Sequence, residues 1–149
     1  MTHEHRAEHI VVGIDGSIAS HAAIRWAVDH AQPGDTITLV HAWEPSPSLT
    51  AADLGGPDDE SAHRFATREL ARALGCGPVE GVTIRINVIR GDAREQLCAQ
   101  DADVLVIGAG GHSRLGGALL GSVSAHMAHH CRRPLVIVPC PDRPTRSSA

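Results

Sequence analysis

The chain has 149 residues, 42% of them hydrophobic and 20% charged, which suits one globular domain that needs no disulfide staple. A formal charge of −4, with no basic run interleaved with aromatics, argues against nucleic acid as a partner. All 13 basic residues are Arg, so a Walker A lysine, a lysine Schiff base and a lysine general base are excluded.

Residues 1–8 are expected to form a flexible N-terminus, residues 9–140 the folded domain and the polar residues 141–149 a flexible tail. The first apolar run, His9-Ile10-Val11-Val12-Gly13-Ile14, ends at Asp15 and predicts a strand. Ser17 then caps a helix running to about residue 31 and stopped by Pro33-Gly34. Its inner stripe is broad and mostly small, with Ala23, Trp26 and Ala27 flanked by Ile24, Val28 and Ala31. A second strand covers residues 36–42, and residues 44–57 form a long loop. Residues 58–74 predict a helix with Phe65, Leu70, Ala73 and Leu74 facing inward and Gly75 as its stop. The third strand, 82–88, alternates apolar and polar residues, as suits a sheet edge. A short helix over 92–99, a fourth strand over 103–107, a helix from Ser122 to about residue 132 and a fifth strand over 134–138 complete the pattern. Val123, Met127, Ala128 and Cys131 give the last helix its inner spacing. Strands alternating with helices imply a mostly parallel sheet with right-handed crossovers.

Two places carry chemistry. Gly108-Ala109-Gly110-Gly111, nine residues, then Gly121-Ser122 links the fourth strand to the last helix. Glycines let main-chain N–H groups approach an anion, and a helix N-terminus adds unpaired donors and partial positive charge. No Gly-Lys-Ser/Thr follows, so this is no P-loop. Ser113 stands where a dinucleotide fingerprint needs its third glycine. Asp15, at the carboxyl end of the first strand, faces this loop if the first and fourth strands are neighbours where the strand order reverses. It then holds a nucleotide's metal ion, ribose or base; the other reading is a helix-capping Asp with no ligand. His112 and Arg114 lie in the loop within reach of phosphate oxygens.

The histidines offer little for a metal. His126 and His130 share a helical face, but no further ligand is placed to complete a site, and His3, His5 and His9 form a flexible, incidental cluster. Cys76, Cys98, Cys131 and Cys140 form no C-x-x-C pair and read as reduced thiols packed as small hydrophobes. The N-terminus lacks an apolar signal core, and no apolar run approaches the roughly 20 residues of a membrane span. The reading is therefore cytoplasmic, with no membrane partner.

The chain resembles the universal stress protein family, in its single-domain, ATP-binding branch. Val11-Val12-Gly13-Ile14-Asp15-Gly16-Ser17, Leu39-Val40-His41-Ala42, Val88-Ile89-Arg90-Gly91-Asp92-Ala93 and Pro134-Leu135-Val136-Ile137-Val138-Pro139 resemble family segments in the right order. Gly108-x2-Gly111-x9-Gly121-Ser122 is similar, without insertion, to the family's ATP-binding signature. The resemblance implies a three-layer α/β sandwich on a five-stranded parallel sheet of order 3-2-1-4-5. It implies that main chain around Gly108, Gly111, Gly121, Ser122 and Val123 holds phosphates and ribose, helped by His112 and the Ser122 and Ser124 hydroxyls. It places Ala42, where members often carry Val, against adenine, and Asp15 on the nucleotide or its Mg2+. It further implies a homodimer through residues 135–138. The role expected is regulatory or sensory in stress response, with protein partners unknown and no dedicated catalysis. A slow ATPase, an adenylyl-transferring enzyme and a nucleotide-free scaffold are the alternatives.

Overall fold

All five apolar runs become strands and all four helical patterns become helices. The computed structural model describes residues 4–44, 59–75, 79–110 and 120–141. In chain order the elements are β1 (His9–Gly13), α1 (Ile18–His30), β2 (Thr36–Trp43), α2 (Asp59–Leu74), β3 (Thr83–Arg90), α3 (Ala93–Cys98), β4 (Val104–Gly108), α4 (Ser122–His130) and β5 (Leu135–Val138). The strands form one sheet of order β3-β2-β1-β4-β5, and all pairings are parallel.

Strand alternation sorts the core onto the two faces of this sheet. Ile10, Val12 and Ile14 of β1 and its exit, Ile37 and Leu39 of β2 and Val106 of β4 pack with Ala23, Ile24 and Ala27 of α1 and Ala66 and Ala73 of α2. Val11, Val40, Leu105 and Ile107 point the other way, onto Leu97 of α3 and Met127 of α4. Helices thus cover both faces, giving three layers. Each fully buried Val, Leu or Ile side chain contributes about 1.5–3 kcal/mol. With a single Phe and no Tyr in the chain, these aliphatic layers carry the fold. β3 lies at the edge, and Thr83, Arg85 and Asn87 are exposed there.

The inner face of α2 differs from the sequence expectation. Ala62, Ala66, Glu69 and Ala73 are the buried positions, while Phe65, Leu70 and Leu74 are half-buried. A charged residue takes an inner place because it is paired. Glu69 meets His21 of α1 through Nε2, and Arg72 approaches its other oxygen at 3.3 Å. Phe65 packs against the His41 ring, 4.6 Å away. β2 and β3 each run beyond their expected ends, to Trp43 and Arg90, whose pairing places the Arg90 guanidinium 5.7 Å from the Trp43 ring.

At the opposite end of the sheet, Asp35 is 2% exposed. It accepts hydrogen bonds from the N–H groups of Gln32 and Glu8, each 2.8 Å away, and contacts His5 Nε2 at 2.6 Å. Burial pushes the Asp35 carboxyl up, but these hydrogen bonds outweigh it and hold the group below the usual carboxylate value. His9 is similarly engaged, bonding the Asp101 carbonyl at 2.9 Å and Thr38 Oγ1 at 2.8 Å.

Candidate functional site

β1 and β4 lie side by side, but the chain leaves them in opposite directions. From β1 it turns into α1 on one face of the sheet; the helix after β4, α4, lies on the other. A crevice opens at the carboxyl ends of two such strands. Here it is a cleft of 430 Å3, within the roughly 300–1,000 Å3 of ligand pockets. A lobe of 320 Å3 adjoins it, sharing Ala42, Ser122 and Val123 and reaching Glu44, Asp92 and Arg94.

One wall is the turn from β1 into α1. Gly16 sits at φ 81°, a conformation that costs little only for glycine, and lets the chain reverse into the helix. Ser17 caps α1, its Oγ accepting the Ser20 N–H at 3.1 Å. Asp15 lines the cleft and accepts the Ser17 N–H at 2.9 Å through Oδ1. Asp15 therefore braces the turn and lines the cleft, while the cap of α1 is Ser17.

The facing wall is the start of α4. Gly121, its N-cap, has φ −71° and ψ 172°, which any residue adopts, and it carries no capping side chain. The Ala109 carbonyl accepts the Gly121 N–H at 2.6 Å and the Ser124 hydroxyl at 2.8 Å. This clamps the first turn of α4 onto the end of β4. The Ser124 hydroxyl, 2% exposed, is thereby committed to the main chain. Ser122, Val123 and Ser124 occupy the first helical turn, where N–H groups have no intrahelical acceptor, and all three line the cleft. Those N–H groups and the helix dipole favour an anion there.

Gly108 also has a packing role that the sequence reading did not include. A Cβ at this position would lie 2.5 Å from the Ala19 carbonyl carbon and 2.6 Å from Ala19 Cβ. The glycine lets α1 close onto β4, and Gly108 lines the cleft as well.

The floor was not foreseen from sequence. Ile14, Val40, Leu97 and Ile107 line the cleft with Ser20, Ala93 and Gly110. The aliphatic residues of this set look like ordinary core, and only the topology brings their ends to one opening. Of the residues singled out, the structure joins Asp15, Ala42, Gly108, Gly121, Ser122, Val123 and Ser124 around the cleft; Gly111, His112 and Arg114 lie outside the described residues.

In the side lobe Asp92 caps α3, accepting the Arg94 N–H at 2.8 Å, while the Arg94 guanidinium reaches both carboxylate oxygens at 2.9 and 3.1 Å. The bond from the Arg94 side chain lowers the Asp92 carboxyl to about 2. This pair holds its charges on each other at neutral pH. Among the described residues, Asp15 is the sole carboxylate lining the main cleft, and no group of three or more His, Cys, Asp or Glu side chains is placed to hold a metal. His126 and His130 do meet, ring centres 4.4 Å apart, on the helix surface. The chemistry on view is a helix N-terminus, which favours an anion, beside an aliphatic slot.

The chain is 31% identical over 161 residues to universal stress protein PHOS34 of Arabidopsis thaliana, covering 89% of this chain and 62% of that protein. It is 30% identical over 149 residues to a universal stress protein of Mycolicibacterium smegmatis, covering 93% of this chain and 50% of that one. The chain thus spans about half to two thirds of these relatives' length. Among solved structures, a universal stress protein in complex with cAMP matches with TM-score 0.61 at 27% identity, over 91% of this chain and 99% of that one. The universal stress protein UspA of Lactobacillus plantarum matches with TM-score 0.64 at 19% identity, over 91% and 99%. Residues 7–139 match the sequence pattern of the Universal stress protein family, and the chain belongs to that family.

Proposed function

We propose that the cleft binds an adenine nucleotide, ATP in the first instance, and that the occupied state is a regulatory signal in stress response, read by protein partners in the cytoplasm. One observation carries the reading: the first-turn N–H groups of α4, which have no intrahelical acceptor, and the aliphatic floor open onto the same cleft, opposite Asp15. A phosphate suits the first surface, a planar base the second. Ser122, Val123 and Ser124 would hold phosphate oxygens through main-chain N–H groups. Ala42 would border the base, and Asp15 would meet ribose or the Mg2+ that travels with a nucleoside triphosphate. Gly111 and His112 are proposed to complete the phosphate side. The neighbour solved with cAMP, at 27% identity, supports an adenine nucleotide as the ligand class.

The main cleft offers little for catalysis. Asp15 already braces the turn at Ser17. Binding, with turnover at most slow, is the activity the site supports. Nucleotide released by denaturing the purified protein and identified by mass spectrometry tests the reading. An adenine nucleotide near one per chain is expected, and it should vanish in Gly121→Val; equal amounts in both proteins would remove the site proposed. Rapid ATP turnover abolished by Asp15→Ala would replace a regulatory binder with an enzyme.

We further propose a homodimer through β5, the second edge of the sheet, whose four residues are all half-buried. An apolar edge strand favours a partner or a cover, and Pro134 and Pro139 limit how far pairing extends. Light scattering at micromolar protein should give twice the chain mass; a single-chain mass would refute it.

A further inference from the structure

Five histidines commit a ring nitrogen to a protein oxygen. His5 meets Asp35, His9 the Asp101 carbonyl, His21 Glu69, His30 the Trp26 carbonyl and His41 the Ile14 carbonyl. His126 and His130 of α4 do not. Their ring nitrogens have no hydrogen-bonding partner among the described residues, and the two rings meet each other instead, centres 4.4 Å apart with 35° between their planes. Helix geometry brings them together, because residues four apart lie one above the other on one face. His126 is half-buried and His130 exposed, so water reaches the pair. His130 is the last residue of α4, and the partial negative charge at a helix C-terminus favours a cation. Arg132 and Arg133 follow the helix, but Arg133 bonds the Asp101 carboxylate at 2.8 Å.

We propose that His126 and His130 chelate one divalent late transition-metal ion, of the class Ni2+, Cu2+ and Zn2+, with water filling the remaining positions. The sequence offers no third ligand, and among the described residues no group of three or more His, Cys, Asp or Glu side chains is placed to hold a metal. Two nitrogens suffice where water completes the shell. Imidazole suits these ions, whereas Mg2+ and Ca2+ take oxygen ligands. The site is therefore distinct from any Mg2+ that travels with a nucleotide. Two imidazole nitrogens, each about 2.0–2.1 Å from one ion and set near a right angle, place their ring centres roughly 4.5–5 Å apart. The rings already stand near that separation. The last torsion of a histidine is broad, so each ring turns a nitrogen to a common point without moving the helix. The chelate joins adjacent turns and exists only while α4 is helical, so the ion stabilises the folded chain. Ser122, at the cleft, lies one turn before His126 on the same helix, which places the ion outside the cleft wall.

The test is calorimetric titration of the full chain with Ni2+, as wild type and as His126→Gln, His130→Gln and His129→Gln. The first two variants should each weaken one site at least about tenfold, because losing either nitrogen breaks the chelate. His129→Gln removes a neighbouring imidazole but keeps the pair, so it should leave the affinity unchanged. Excess Mg2+ should not displace the bound Ni2+. Affinity equal to wild type in His126→Gln and His130→Gln, an equal loss in His129→Gln, or displacement by Mg2+ would overturn the proposal. A second readout needs no variant. In ring-nitrogen NMR spectra of the wild type, saturating Zn2+ should shift the His126 and His130 signals together and leave those of His9 and His21, held by protein oxygens, in place. His126 and His130 signals that do not move would overturn the proposal. Both readouts are made without nucleotide, so their failure leaves the nucleotide reading of the cleft standing.

Discussion

Gly108 and Gly121 belong to one spacing pattern, yet their surroundings differ. At Gly108 the missing Cβ makes room for the backbone of α1, which would otherwise lie 2.5 Å away. At Gly121 the backbone is ordinary, and its N–H already bonds the Ala109 carbonyl. We propose that the absent side chain there leaves room for a ligand at the first turn of α4. Both glycines line the cleft; the first also serves the fold, and the second is proposed to serve the ligand. A glycine in a strand–loop–helix signature can thus be required for packing, and that role is not legible from the residue type.

That contrast predicts separable losses. Gly108→Val should be the most damaging change. It drives a branched side chain into main chain that cannot give way, and overpacking of this kind costs about 1–3 kcal/mol or more. Urea unfolding should show a midpoint shift of that size, larger than any change in stability at Gly121. Gly121→Val should do the reverse. Its backbone angles suit an L residue and an N-cap glycine contributes only a few tenths of a kcal/mol, so the unfolding midpoint should barely move while affinity for an adenine nucleotide falls at least about tenfold, or 1.4 kcal/mol. Equal binding and stability losses in the two variants would erase the distinction.

Ser124→Ala probes the hinge between these regions. It removes a buried hydroxyl from the Ala109 carbonyl but leaves that carbonyl the Gly121 N–H. A loss of about 1 kcal/mol in stability is expected, with a smaller drop in affinity because the first turn of α4 loosens. Full wild-type stability would show that the clamp is not needed.

The smallest effect lies far from the cleft, at Asp35. Its folded carboxyl sits below the ordinary value, so the unfolded chain binds its proton more readily. The stability this confers is present above the unfolded pKa of about 3.9 and is lost as pH falls through the lower folded value. Asp35→Asn should flatten the stability profile in that acid range while leaving nucleotide affinity at neutral pH unchanged. An unaltered acid profile would mean that the hydrogen bonds to Asp35 do not favour its charged form.

Much of this was visible before any coordinates. Five brief β-branched runs gave the strands, because parallel strands buried on both faces read as continuous apolar stretches. Ser17 and Asp92 marked helix starts through oxygens that do accept first-turn N–H groups. The inner face of α2 was less legible. Ala62 and Ala66 carry little apolar signal, and Glu69 reads as solvent-facing until His21, far away in sequence, is brought beside it. For the cleft, Asp15 and the glycine pattern were readable because their chemistry is local. Val40, Leu97 and Ile107 were not, because a core aliphatic and a cleft-floor aliphatic are the same residue in sequence. The strand order itself came from the family resemblance.

The central claim is that the first turn of α4 and the floor beside it form one adenine-nucleotide site. Calorimetric titration of nucleotide-free wild-type protein and Gly121→Val with ATP, both first matched for urea midpoint, tests it most directly. The account predicts saturable binding near one nucleotide per wild-type chain, and affinity at least about tenfold weaker in the variant. Absence of binding to the wild type, or equal affinity in two equally stable proteins, would contradict it.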